Sequence, residues 1–334
     1  MENRRLDQYD NVKFLCILLV VIGHFIESYT ETSEFYRSLF LAIYSFHMPM
    51  FFFISGLFKR PSAKGDPFPL GKVLYYLILG YLLKAFTYVL QLIGTGKGSF
   101  NFFGGEEIPW FLFVLAAYTV LGFFTRWIPS WLVIALSVLA GALSGYVDRI
   151  GDTLWLSRIC VFMPFYVAGY YLTPERLREF TRHWYVKLIS LLGSLVFFAV
   201  CFADVDCVYG LRRLFTGKNP FSVVLIDGCN VLHRLLCMAI SACICIALLS
   251  LMTERNLGII TRFGRNTLAV FFWHTLIRNA LRYSGVFKLI TQAAQPVWEI
   301  LIILMAMAIT FILSIDIFMV PFNALKKIGK WRIG

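Results

Sequence analysis

Two histidines and a lysine carry the first chemical signal in this sequence. Lys13 and His24 stand eleven residues apart in one apolar run. At about 100° per residue, eleven positions return to within ~20° of the same helix face, with an axial separation of roughly 16 Å. The two side chains therefore share a stripe without touching. Asp10 precedes Lys13 by three residues and Glu27 follows His24 by three, spacings at which an acid pairs with an ammonium or orients an imidazole. A neutral imidazole held by a carboxylate can take the proton of a hydroxyl. His47 falls in a second apolar run, within Ser45-Phe46-His47-Met48-Pro49-Met50. It lies at about the depth of His24, counted from the expected helix ends. Pro49 removes a backbone donor beside it and predicts a kinked helix. His274, four residues before Arg278, is a candidate third contributor on one face. A lone histidine in an apolar run is more often a satisfied structural residue. Two at matched depth, with a lysine and acids on the same stripe, point to a shared polar site.

The elements that position these residues are membrane helices. Of 334 residues, 59% are hydrophobic and only 15% charged, with 33 phenylalanines. A soluble domain of this length is nearer half apolar and a quarter charged, so the excess must face lipid. The fold class expected is an all-α polytopic membrane protein, one transmembrane domain over 1–334. A span needs about 20 mostly apolar residues, and ten segments qualify: 12–29, 38–58, 70–93, 108–126, 128–147, 154–173, 184–203, 230–252, 266–285 and 298–321. Lys and Arg on alternate connections divide 18 to 7, which places both termini in the cytoplasm. The net charge of +12 sits in short clusters between apolar runs, as in cytoplasmic loops, and nucleic-acid binding is excluded for want of a soluble domain to carry it. The first run contains Lys13 and His24 and lacks a small-residue cleavage pattern, so it reads as a span and not a signal peptide. The eight cysteines give no metal-ligand pattern, and no metal is expected. Cys207 and Cys229 share an outer connection, where a disulfide is an open alternative.

Six basic residues remain inside the spans: Lys13, Lys84, Arg158, Arg234, Arg278 and Arg282. Each costs about 2.5–3.5 kcal/mol at a helix centre, so each must pair, snorkel or line a wet cavity. Intramembrane charge also marks transporters and flippases, which form the alternative functional class; the inverted repeats that would favour them are absent.

Read in order, several stretches resemble one family. Tyr9-Asp10-Asn11-Val12-Lys13, ten residues, then Gly23-His24 matches a basic-residue, ten-residue gap, histidine motif. Phe46-His47-Met48-Pro49-Met50-Phe51-Phe52-Phe53-Ile54-Ser55-Gly56 is similar to that family's second-helix motif. Pro109-Trp110-Phe111-Leu112, Phe165-Tyr166-Val167-Ala168-Gly169-Tyr170-Tyr171 and Gly264-Arg265-Asn266-Thr267-Leu268-Ala269-Val270 follow in the expected order. The family is the membrane acyltransferase 3 family, in its fucose 4-O-acetylase-like branch. The resemblance implies a multi-pass enzyme, most simply of the bacterial cytoplasmic membrane. It would move an acetyl or other short acyl group from cytoplasmic acetyl-CoA to a hydroxyl of a cell-surface or lipid-linked sugar. It implies His24 as the catalytic histidine and Lys13 as its paired basic residue. The Arg-x-x-Arg signature of many members is replaced by Lys59-Arg60 and Lys64, and no hydrolase-like domain follows the membrane part.

Set on that chemistry, Glu27 orients His24, and His47 or a cation stabilises developing negative charge. The phosphates of the acyl-CoA would lie among Lys13, Arg60, Lys72, Arg262 and Arg265. Glu106, Glu107, Trp110 and Arg158 are the candidates for the sugar, through hydrogen bonds and ring stacking. For Trp110 and the two acids the competing reading is an interfacial aromatic belt with solvated carboxylates; for Arg158 it is snorkelling.

Overall fold

In the computed structural model residues 6–59, 61–105, 109–151 and 153–326 are described, and among them no strand occurs. The first apolar run folds as α1 (Asp7–Ile26), continued by a 3-10 turn to Tyr29. The second is interrupted. Helix α2 (Glu34–Tyr44), capped by the Ser33 hydroxyl, ends before Ser45 and Phe46, and α3 (His47–Leu57) begins at the histidine itself. Pro49 thus sits in a first turn, where its missing N–H would have had no helical partner. The expected kink is a two-residue interruption of the helix at Ser45–Phe46 within one span. The carbonyl of Ser45, which Pro49 leaves without a helical donor, finds one on a distant helix: Ser241 Oγ donates to Ser45 O at 2.5 Å. Cys245 Sγ reaches Phe46 O at 3.8 Å, beside the Met50 N–H that Phe46 O already accepts. Irregular backbone at membrane depth persists only where neighbours satisfy it in this way.

One long apolar helix and three shorter ones follow as α4 (Leu70–Thr95), α5 (Trp110–Phe124), α6 (Ser130–Leu143) and α7 (Leu156–Tyr171). The strongly amphipathic α8 (Pro174–Arg182) lies between α7 and α9 (Trp184–Ala203). The connection after α9 folds into the short α10 (Val205–Val208) and α11 (Arg212–Phe215) before α12 (Val231–Leu251). The last part comprises α13 (Ile259–Gly264), α14 (Thr267–Tyr283), α15 (Val286–Ile290), α16 (Val297–Leu313) and α17 (Val320–Leu325).

Every one of the ten expected spans is helical, yet six helical segments among the described residues are long and apolar enough to cross a bilayer. These are 7–29, 34–57, 70–95, 110–127, 184–203 and 231–251. A seventh is gained if α16 and the segment Asp316–Leu325, bent by 67° at Ser314–Ile315, count as one. The others fall short: α7 has 16 residues with Pro164 inside, α14 has 17, and α6 with its 3-10 extension ends at Tyr146.

Helix packing around the centre depends on glycine. A Cβ on Gly56 would lie 2.1 Å from Tyr166 O, and one on Gly169 would lie 2.1 Å from Phe53 O. Helices α3 and α7 therefore cross at backbone contact, the small-residue packing that membrane helices favour. A Cβ on Gly264 would meet Asp10 O at 1.8 Å, so α13 presses equally close against α1. Asn11 fixes that contact. Its amide donates to Thr253 O and Arg255 O, and its carbonyl accepts from the Thr261 hydroxyl.

Candidate active site

A cavity of about 320 Å³ runs along α1 and is lined also by the α2–α3 break, α4, α5, α7, α14 and the 215–218 segment. Lys13 lines one end, Glu27 and Lys218 the other, and His24, Tyr44 and His47 lie between. The stripe read from eleven-residue spacing is a cavity wall.

At the Lys13 end the ammonium pairs with Asp10 at 2.7 Å. Asp10 is buried and also receives Arg265 Nε at 3.4 Å, while Arg265 reaches Asp7 at 3.3 Å. Arg262 bonds Asp316, and Lys72 is exposed; neither lines the cavity. Of the basic residues expected to hold phosphates, Lys13 alone among the described ones faces the cavity, and Arg60 lies outside the described residues.

His24 is the centre. Its Nδ1 lies 3.5 Å from Glu27 Oε2 and 3.3 Å from the Tyr44 hydroxyl. Gly23 makes the second contact feasible, because a Cβ there would already sit 3.0 Å from the Tyr44 ring. Arg278 closes the group: it donates to His24 O at 3.2 Å and stands 3.8 Å from Glu27 Oε2. With Nδ1 engaged by a carboxylate, Nε2 is left as the basic nitrogen. Contacts of 3.3–3.5 Å are long, as they often are before substrate tightens an active site.

The other two histidines present a different face. His47 Nδ1 is 2.7 Å from Ile43 O and His274 Nδ1 is 2.8 Å from Val270 O. A carbonyl only accepts, so both nitrogens carry the hydrogen and both Nε2 atoms are lone-pair acceptors in the neutral ring. Neutral His47 thus has no N–H for an oxyanion, which argues against the stabilising role expected of it. His274 stacks on His24 at 5.5 Å between ring centres, with an interplanar angle of 28°.

At the Glu27 end, Arg158 lies 4.4 Å over the Trp110 ring and both line the cavity. Glu106 and Glu107 lie outside the described residues. Two of the charges noted within spans build this end from a distance. Arg234, fully buried, donates to Leu214 O at 2.6 Å and Asn219 O at 3.0 Å, and Ser157 Oγ donates to Gly217 O at 2.7 Å. Together they hold Phe215, Thr216 and Lys218 against the cavity. Lys84 donates to Asn101 O and Gly104 O, each at 2.6 Å, and so ties down the loop before α5. Sequence reasoning missed Tyr44, Thr87, Thr216 and Lys218. Arg278 carried a signal, as an intramembrane charge, but its partner Glu27 is a tertiary contact that spacing does not reveal.

The family model described as "Acyltransferase domain" matches residues 6–317. The chain belongs to that acyltransferase family. The acyltransferase also matches the nodulation protein NolL of Sinorhizobium fredii (strain NBRC 101917 / NGR234), at 47% identity over 57 residues. That stretch covers 16% of this chain and 16% of the relative's length, so the acyltransferase aligns with only a short part of it. No solved structure matches.

Proposed function

We propose that this membrane protein is an O-acyltransferase carrying an acetyl group from cytoplasmic acetyl-CoA to a hydroxyl of a cell-surface or lipid-linked sugar. One observation carries the reading: a single cavity holds Lys13 at one end, polar groups around Glu27 at the other, and His24 between them. In this proposal ten helices cross the bacterial cytoplasmic membrane with both termini inside, so the Lys13 end is the cytoplasmic mouth. The donor enters there and its phosphates meet Lys13, with Arg60, Lys72, Arg262 and Arg265 around the rim. The roughly 16 Å from Lys13 to His24 suits a pantetheine arm. The inner wall supports this: Ile17, Val20, Ile54 and Phe271 offer an apolar passage. The sugar binds at the opposite end among Glu27, Trp110, Arg158, Lys218 and Asn279, with Glu106 and Glu107 as further contacts.

In the reaction the sugar hydroxyl gives its proton to His24 Nε2 as its oxygen attacks the thioester carbonyl. Glu27 stabilises the imidazolium that forms. Collapse of the tetrahedral species breaks the C–S bond, and His24 returns the proton to the departing thiolate. A transporter would also use a two-ended cavity, and turnover separates the two readings. His24→Ala is expected to abolish incorporation of labelled acetyl into envelope glycan while the protein still inserts and purifies normally. Wild-type rates from that variant would overturn the assignment.

A further inference from the structure

Inside helices, threonine commonly returns its hydroxyl to the carbonyl four residues back. Thr95, Thr119, Thr125 and Thr310 all do so here, at 2.8–2.9 Å. Thr87, in the middle of α4, does not. The residue is 8% exposed, and its Oγ1 is buried with no hydrogen-bond partner among the described residues. Leaving a buried hydroxyl unpaired is destabilising, and such a group in a folded protein calls for a reason. Thr87 lines the cavity that contains His24.

Its height in the cavity follows from helix register. Phe86 meets Phe272 at 6.1 Å between ring centres, and Gly94 packs against the Tyr283 ring. Helices α4 and α14 therefore run side by side in the same direction, with Thr87 level with residues 273–276. That layer holds His274, stacked on His24, and Thr275. The N–H groups of His47 and His274 go to backbone carbonyls, and the Thr275 hydroxyl lies 3.4 Å from His274 Nε2. The Tyr44 hydroxyl stands 3.3 Å from His24 Nδ1, on the side of the ring that faces Glu27 and away from the basic Nε2.

We propose that the Thr87 hydroxyl is the donor that receives the thioester carbonyl oxygen as it becomes an oxyanion. The assignment rests on the acyl-transfer reading above. As the sugar oxygen bonds to the carbonyl carbon and its proton passes to His24, the carbonyl π electrons move onto oxygen, where Thr87 O–H donates to them. As the C–S bond breaks, the carbonyl reforms and the thiolate takes the proton back from His24, so Thr87 ends unchanged. A donor aimed at developing charge in a dry site is worth far more than the same bond in water.

The test compares wild type, Thr87→Val and Thr87→Ser in membrane vesicles carrying native envelope glycan, with radiolabelled acetyl-CoA as the probe. Thr87→Val is expected to lower maximal incorporation about 100-fold, normalised to protein, with KM for acetyl-CoA unchanged. Thr87→Ser should recover most of the rate. The purified valine variant should melt no lower than wild type, since it removes an unsatisfied hydroxyl. Unchanged incorporation, an effect confined to KM, or a fall in melting temperature that accounts for the loss would each overturn the role of Thr87. Wild-type vesicles that incorporate no acetyl at all would instead overturn the acyl-transfer reading itself.

Discussion

His24 illustrates what a single sequence reveals about a residue and what it hides. Its stripe with Lys13 and its link to Glu27 follow from eleven- and three-residue spacings, which helix geometry converts directly into position. Tyr44 and Arg278 complete its surroundings from other helices, and nothing local to residue 24 announces them. The same limit governs the proton on His47: depth was legible, whereas the hydrogen at Nδ1 depends on the Ile43 carbonyl 2.7 Å away. Lys59 offers a residue-scale prediction. It follows α3 by two residues, and its Nζ is buried without a hydrogen-bond partner among the described residues. Burial, and the neighbouring Lys72 charge, push its ammonium down to about 7 from an ordinary 10.5. An unfolded chain therefore binds more protons than the folded one between those values, and stability must rise with pH across that window. Below about 7 both states are protonated and the penalty is complete. In detergent, Lys59→Met should melt above wild type at pH 7, and the gap should narrow by pH 9. A gap independent of pH would show that the ammonium is solvated.

At the scale of elements, the motif stretches prove to be packing devices as much as chemical ones. Gly56 and Gly169 let α3, the helix that begins at His47, cross α7 at backbone contact. Gly264, Arg265 and Asn266 each secure a different neighbour: Asp10 O, the Asp7 and Asp10 carboxylates, and Ser314 O with Asp316. Gly56→Ala would push a methyl to 2.1 Å from Tyr166 O. The helices must part, at about 1–3 kcal/mol for overpacking of this kind. Thermal unfolding in detergent should show that loss together with reduced acetyl incorporation, and a variant as stable as wild type would mean the crossing is compliant. Apolar run length and proline placement located the helices well. They did not reveal the break at Ser45–Phe46, because the donors that sustain it come from Ser241 and Cys245, about two hundred residues away.

For the whole molecule, composition and family membership agree on a membrane protein, while direction across the bilayer rests on the 18 to 7 distribution of Lys and Arg. The cysteines provide a test, since all eight are free, including Cys207 and Cys229, and Cys207 is exposed on the connection after α9. With both termini inside, that connection faces outward. A membrane-impermeant maleimide should then label intact cells, and labelling should drop in Cys207→Ser. Labelling that requires lysis would invert the orientation and with it the side from which the donor enters. Overall helix content was legible, but the folding of the 204–229 segment into the cavity was not. It depends on Arg234 holding two carbonyls far from it in sequence.

The pair between Asp10 and Lys13 has a consequence for biosynthesis. It spans three residues on one helix, so it forms as soon as α1 is made, long before Arg265 is synthesised to share the same carboxylate. The nascent first helix can thus enter the bilayer with its lysine already neutralised, at lower cost than a bare ammonium would carry. Asp10→Asn would remove that protection at the moment when no other helix is present to replace it.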